Sequence, residues 1–158
     1  VMAAAGLTHG GFYGHFESKE ALAREASDRA FQQSGERWQA RIAESADNDT
    51  ARQALIEPYL SAASRDNPGD SCPVVAFAGD MCHEAVDSGL HQTFNEGLNQ
   101  LLQIFGSLQN TGDDAQDRQQ ALVQYSLMVG ALTLARATRG EPLSDEILEA
   151  ARCFLSQA

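Results

Sequence analysis

The stretch Ala3–Leu22, "AAAGLTHGGFYGHFESKEAL", decides how the rest of the chain is read. It sets Gly6, Gly10, Gly11 and Gly14 among His9, His15 and the aromatic residues Phe12, Tyr13 and Phe16. Three chemistries compete for such a pattern. "HGGF" could be the oxyanion loop of an esterase, His9 and His15 could hold a metal, or "HGGFYGHF" could be a short helix that touches a partner.

Outside this stretch the sequence is that of a helical domain. The 158 residues suffice for one domain with a real core, and a composition 43% hydrophobic and 21% charged is globular rather than disordered. No apolar run approaches the ~18 residues of a membrane span. The longest, Leu127 to Ala137, is broken by Gly130, Thr133 and Arg136. No signal-peptide pattern opens the sequence, and three irregularly spaced cysteines form no disulfide framework, so a reducing cytoplasm is expected. Strand alternation is absent, whereas apolar residues recur at helical spacing from Ser18 to about Ala46 through Leu22, Ala26, Phe31, Trp38 and Ile42. Ser18 is the expected N-cap.

A second helix is predicted from Thr50 to Ser64, kinked at Pro58. "RDNPGD" reads as a loop, and "CPVVAFAGDM" as a helix with Pro73 in its first turn. An amphipathic helix follows from Leu90, carrying Phe94, Leu98 and Phe105 on one face. The segment from Arg118 to Thr138 has apolar residues nearly all round from Ala121 to Ala137, so burial on most sides is expected. Ser144 is read as the cap of a last helix bearing Ile147, Ala151 and Phe154. The fold class is therefore all-α.

In such a fold the first two chemistries fail. An HGG oxyanion loop belongs to an α/β sheet and needs a G-x-S-x-G elbow, and neither is present. His9 and His15 are six apart, which puts them on different faces of a helix, and Cys72, Cys82 and His83 lack tight ligand spacing. No catalytic residue, metal site or cofactor is expected. The helical reading fits: Gly6 turns the chain after one helix, Thr8 caps a second short helix, and a further turn leads to Ser18. Helix, glycine turn and short helix form a helix-turn-helix pattern, whose second helix enters the major groove of DNA.

"AAGLTHGGFYGHFESKEAL" also resembles the signature of the TetR family of transcriptional regulators. The features are the Gly-apolar-Thr turn, the mid-helix tyrosine, the His-Phe pair and the Ser-Lys-Glu-x-Leu helix start. More loosely, "LMVGALTLARAT" and "LSDEILEAARCFL" are similar to that family's last two helices, which form a dimer interface. The resemblance implies DNA contacts by Thr8, His9, Gly10, Gly11, Tyr13, His15 and Lys19, the last being the only lysine in the chain. Thr8, Tyr13, His15 and Lys19 would hold phosphates, which positions the helix without reading sequence. His9, Gly10 and Gly11 would face base edges, while Phe12 and Phe16 pack the small domain. It further implies a helix and part of another ahead of Val1, so residues 1–29 are read as a partial DNA-binding domain lacking its first helix.

Residues 30–158 are then a ligand-binding and dimerisation domain. The dimer interface of a homodimer is assigned to Leu127, Gly130, Ala131, Leu134, Ala137, Ile147, Ala151 and Phe154. Twofold symmetry would match a palindromic operator. Trp38, Tyr59, Phe77, Met81, Phe94, Leu98, Phe105 and Tyr125 are candidate pocket residues, each equally suited to core packing, and the set suggests a hydrophobic or aromatic small-molecule effector. No charged residue is expected to point inward.

The net charge of −11 argues against a DNA-binding surface on the body. Residues 1–29 contribute only −1 of it, with Lys19, Arg24 and Arg29 against Glu17, Glu20, Glu25 and Asp28. The expected function is a ligand-responsive regulator, a repressor released from its operator by the effector. A helical ligand-binding or cysteine-based redox sensor without DNA activity stands as the alternative, with Cys72 near a helix N-terminus as its reactive thiol.

Overall fold

The computed structural model describes residues 16–157, and every regular element among them is helical. The α-helices are α1 (Lys19–Ala43), α2 (Asn48–Tyr59), α3 (Ala62–Asp66), α4 (Pro73–Met81), α5 (Gly89–Gly106), α6 (Asp114–Ala137) and α7 (Pro142–Leu155). A single 3-10 turn, Pro68–Asp70, separates α3 from α4. None of these helices is long and apolar enough to cross a membrane.

Local chemistry sets most of the boundaries. Ser18 is extended, and its hydroxyl accepts the Ala21 N–H at 3.0 Å, which caps α1 as expected. Asp47, Ser88 and Asp113 cap α2, α5 and α6 in the same way. Pro73 opens α4, where its missing N–H costs nothing. Gly112 and Gly140, at φ of 80° and 99°, turn the chain into α6 and α7.

Two local expectations are corrected. Pro58 ends a helix rather than kinking one: α2 stops at Tyr59, Leu60 leaves helical geometry, and Ser61 caps a new helix, α3, by accepting the Ser64 N–H. Proline cannot donate to the preceding turn, and Ser61 offers the freed backbone another start. Ser144 does not cap α7, which begins at Pro142 behind Glu141. It is fully buried inside α7, donating to the Ala135 carbonyl at 2.7 Å and accepting from Arg65 Nη1 at 2.9 Å.

The core runs through all the long helices. Leu55, Ile56, Leu101, Phe105, Tyr125, Met128, Leu132 and Leu155 are all shielded from solvent. α1 packs along α5, with Ser27, Ser34 and Gly35 on its buried side allowing close approach. At the crossing the Phe31 ring lies directly over Gly97 and meets Phe94 edge-to-face, with centroids 5.6 Å apart. α1 is continuous through residues 29 and 30, the boundary expected between head and body.

Candidate functional site

Trp38 of α1, Tyr59 of α2, Phe105 of α5 and Tyr125 of α6 meet in one aromatic cluster. Trp38 stacks edge-on to Tyr125 at 5.6 Å between centroids, and Tyr59 to Tyr125 at 6.2 Å. Such edge-to-face contacts are favourable because the positive ring edge meets the negative face. Cys72, at the N-cap of α4, brings its Sγ to 3.2 Å from Tyr125 Oη in the buried interior. Tyr59 Oη faces the same pair yet completes no hydrogen bond of good geometry. Burial, reinforced by the neighbouring thiol, pushes both tyrosine hydroxyls well above their ordinary pKa, so both remain proton donors.

Arg136 of α6 approaches this cluster from the α3 side. Its Nη2 donates to the Ser64 carbonyl at 2.8 Å, while its buried Nε has no partner. Burial pulls its pKa down, and the nearby Tyr59 and Cys72 oppose that shift.

Where Leu60 and Ser61 separate α2 from α3, a cavity of about 290 Å³ opens against the cluster. Tyr59, Cys72 and Trp38 form its inner wall, and Arg37 and Arg41 of α1 lie on one side. Ser61, Ser64, Asn67, Asp70 and Ser71, from α3 and the turn after it, form the other. The Ser64 and Ser71 hydroxyls, 3.0 Å apart, tie that second wall together.

The predicted pocket set therefore divides. Trp38 and Tyr59 line the cavity; the other six do not. Phe105 and Tyr125 lie behind its wall in the core, Phe94 packs on Phe31, and Met81 is buried. Phe77 and Leu98 are half-buried against the same core. The reason is that the amphipathic faces of long helices close on one another, whereas the space lies at an interrupted helix where small polar residues cannot fill it. The expectation that no charged residue points inward is also corrected, by Arg136 with its buried Nε, while Arg41 is half-buried and Arg37 exposed where they line the cavity. The motif "ERWQAR" held the signal for these last two, since arginines four apart on a helix share the face that flanks Trp38.

A second concavity, a shallow apolar groove of about 600 Å³, lies between α6 and α7. Leu127, Gly130, Ala131 and Leu134 form one side, and Ile147, Ala151 and Phe154 the other. Seven of the eight residues assigned to a dimer interface are thus brought together, and Ala137 is exposed outside the groove. α6 is not buried on most sides as expected: Leu122, Val123 and Leu134 face solvent, as do Leu143 and Phe154 of α7. Lys19 is exposed at the first position of α1. Thr8, His9, Gly10, Gly11, Tyr13 and His15 lie outside the described residues.

No family model matches the chain, and no curated protein matches it. Among solved structures it is similar to the crystal structure of the reduced form of E. coli NemR, with a TM-score of 0.80 and 20% identity. The likeness covers 99% of this chain and 82% of that one. These findings correct the sequence-level assignment to the TetR family. With no matching family model and 20% identity to the solved neighbour, the likeness shows an all-helical fold and does not carry that membership.

Proposed function

We propose that this chain is the sensing and dimerising body of a DNA-binding transcriptional regulator, with the N-terminal helix-turn-helix pattern as its DNA-contacting part. The observation that carries the reading is α1. It starts at the Ser18 cap, immediately after that pattern, and runs without a break to Ser34, Arg37, Trp38 and Arg41 on the cavity wall. A ligand that favours one position of Trp38 and Arg41 therefore biases the position of Ser18, through a rigid element both sites share. The apolar groove between α6 and α7 serves the second half of the reading, a homodimer that presents two DNA-contacting heads. The regulator is a cytoplasmic, non-catalytic repressor, released from a palindromic operator when a small effector fills the cavity.

The full-length protein should select palindromic sequences from a random duplex library. Lys19→Ala and Tyr13→Phe should weaken binding to all sequences alike, and changes at His9 should alter the preference. Selection of no sequence by a folded dimer would sink the reading.

A second reading, redox sensing, has Cys72 in its favour. The thiol touches the Tyr125 hydroxyl beside the cavity, and the solved neighbour is described in a reduced form. If DNA release by mild oxidant survives Cys72→Ser unchanged, this second reading fails.

A further inference from the structure

We propose that the cavity beside Trp38 binds a small organic acid, a monocarboxylate with a planar apolar body, its carboxylate held by Arg37 and Arg41. Arg37 and Arg41 stand one helical turn apart on α1, and both line the cavity. In a chain with 22 acidic and 11 basic residues, neither forms an ion pair with a described carboxylate. A guanidinium fork left open toward a cavity is matched geometrically by a carboxylate. Asp70 on the opposite wall offsets one of the two positive charges, so a monoanion neutralises the site and a dianion overfills it.

The remaining walls fix the body of the ligand. Trp38 and Pro58 present flat apolar surfaces, which suit an unsaturated or aromatic group and leave a bare phosphate with nothing to fill them. At the inner end Tyr59, 6% exposed, closes the cavity with its ring, its hydroxyl turned into the core toward Cys72 and Tyr125. A volume of about 290 Å³ is at the small end of ligand sites, enough for on the order of ten non-hydrogen atoms. That such a ligand is an effector rests on the regulator reading above; that it binds does not.

Trp38 is the only tryptophan in the chain, so its fluorescence reports occupancy of this site. Calorimetric titration of the full-length protein with benzoate, benzamide and inorganic phosphate tests the chemistry. Benzoate should bind saturably and perturb Trp38, with benzamide and phosphate each weaker by about tenfold or more. Arg37→Gln and Arg41→Gln should each weaken benzoate about tenfold at unchanged melting temperature, and the Arg→Lys variants should retain part of the affinity. No saturation by benzoate, equal binding of benzamide or phosphate, or indifference to both glutamine variants would each overturn the proposal. DNA binding measured on the same samples separates the two readings. Benzoate bound by a protein that selects no DNA leaves this site standing and removes the regulator. DNA bound by a protein that ignores benzoate does the reverse.

Discussion

The Cys72 thiol and the Tyr125 hydroxyl lie 3.2 Å apart in the interior, joining the start of α4 to the middle of α6. The contact couples the cavity wall to the helix that also builds the apolar groove, because Cys72 lines the first and α6 lines the second. Replacing Tyr125 with Phe keeps the ring in the aromatic cluster and removes only the hydroxyl. Denaturant unfolding should then show a loss of about 1 kcal/mol, the usual worth of one buried hydrogen bond. A double-mutant cycle with Cys72→Ala should return a coupling of about 0.5 kcal/mol or more. Strict additivity would mean that the pair does not interact.

Gly97 makes a sharper test of packing. A Cβ built there would overlap Cγ, Cδ1 and Cδ2 of Phe31, whose ring is held in turn by Phe94. Glycine to alanine in a helix interior ordinarily gains up to about 1 kcal/mol. At this position it should lose about 1–3 kcal/mol, because the Phe31 ring is buried and already packed on Phe94. Phe31→Leu combined with Gly97→Ala should recover part of that loss. A stabilised Gly97→Ala protein would show that α1 and α5 are not packed this closely.

Ser144 is a buried polar group whose loss removes two hydrogen bonds at once. Its hydroxyl donates to the Ala135 carbonyl and accepts from Arg65, which also bonds Asp145 at 2.7 Å. Ser144→Ala should therefore cost about 1–3 kcal/mol by urea unfolding, more than a typical serine truncation. Asp145→Asn is the control. Asp145 is largely exposed, so its bond to Arg65 is weak and the cost should stay below about 1 kcal/mol.

These residues also show what the sequence could and could not reveal. Helix starts were legible because their signals are local: Ser18 and Pro73 act within one turn of themselves. Ser144 was misread because the same residue type, at a helix start, serves equally as a cap or as a buried bridge. Which role it takes depends on Arg65, 79 residues away in sequence. Phe105 and Tyr125 read as pocket residues on the same ground that makes them core, an apolar helix face. Only the packed arrangement shows that the space lies instead beside Pro58, among serines and arginines with no apolar periodicity.

Alkaline pH should act through Tyr59 and Tyr125. Both hydroxyls have folded-state pKa values raised well above the ordinary one, burial being the main cause. In the unfolded chain they ionise near pH 10. The sign follows: below about pH 10 their burial contributes its full stability, and as pH rises beyond this the unfolded state gains by ionising while the fold resists. Absorbance titration should show the phenolate signal of these two residues only as helical circular dichroism is lost. Phenolate formation in a fully helical protein would mean that water reaches the cluster.

The groove between α6 and α7 should prove to be where two copies meet. Leu134 and Phe154 are 56% and 60% exposed, and with Leu127, Gly130 and Ile147 they make one continuous apolar surface. An isolated chain would leave that surface in water, and its shape repeats on a second copy related by a twofold axis. Leu134→Glu or Phe154→Glu places a charge at the centre of such a contact without disturbing the monomer's own core. Light scattering should give a dimer for the native protein at micromolar concentration and a monomer for either variant, with helical content preserved. The variants should also melt lower, because dimerisation stabilises the fold by mass action, and their melting temperature should lose its dependence on concentration. Val86 provides the control: it is 82% exposed but lies away from the groove, so Val86→Glu should leave the dimer intact. A native protein that scatters as a monomer, or glutamate variants that remain dimers, would place the interface elsewhere.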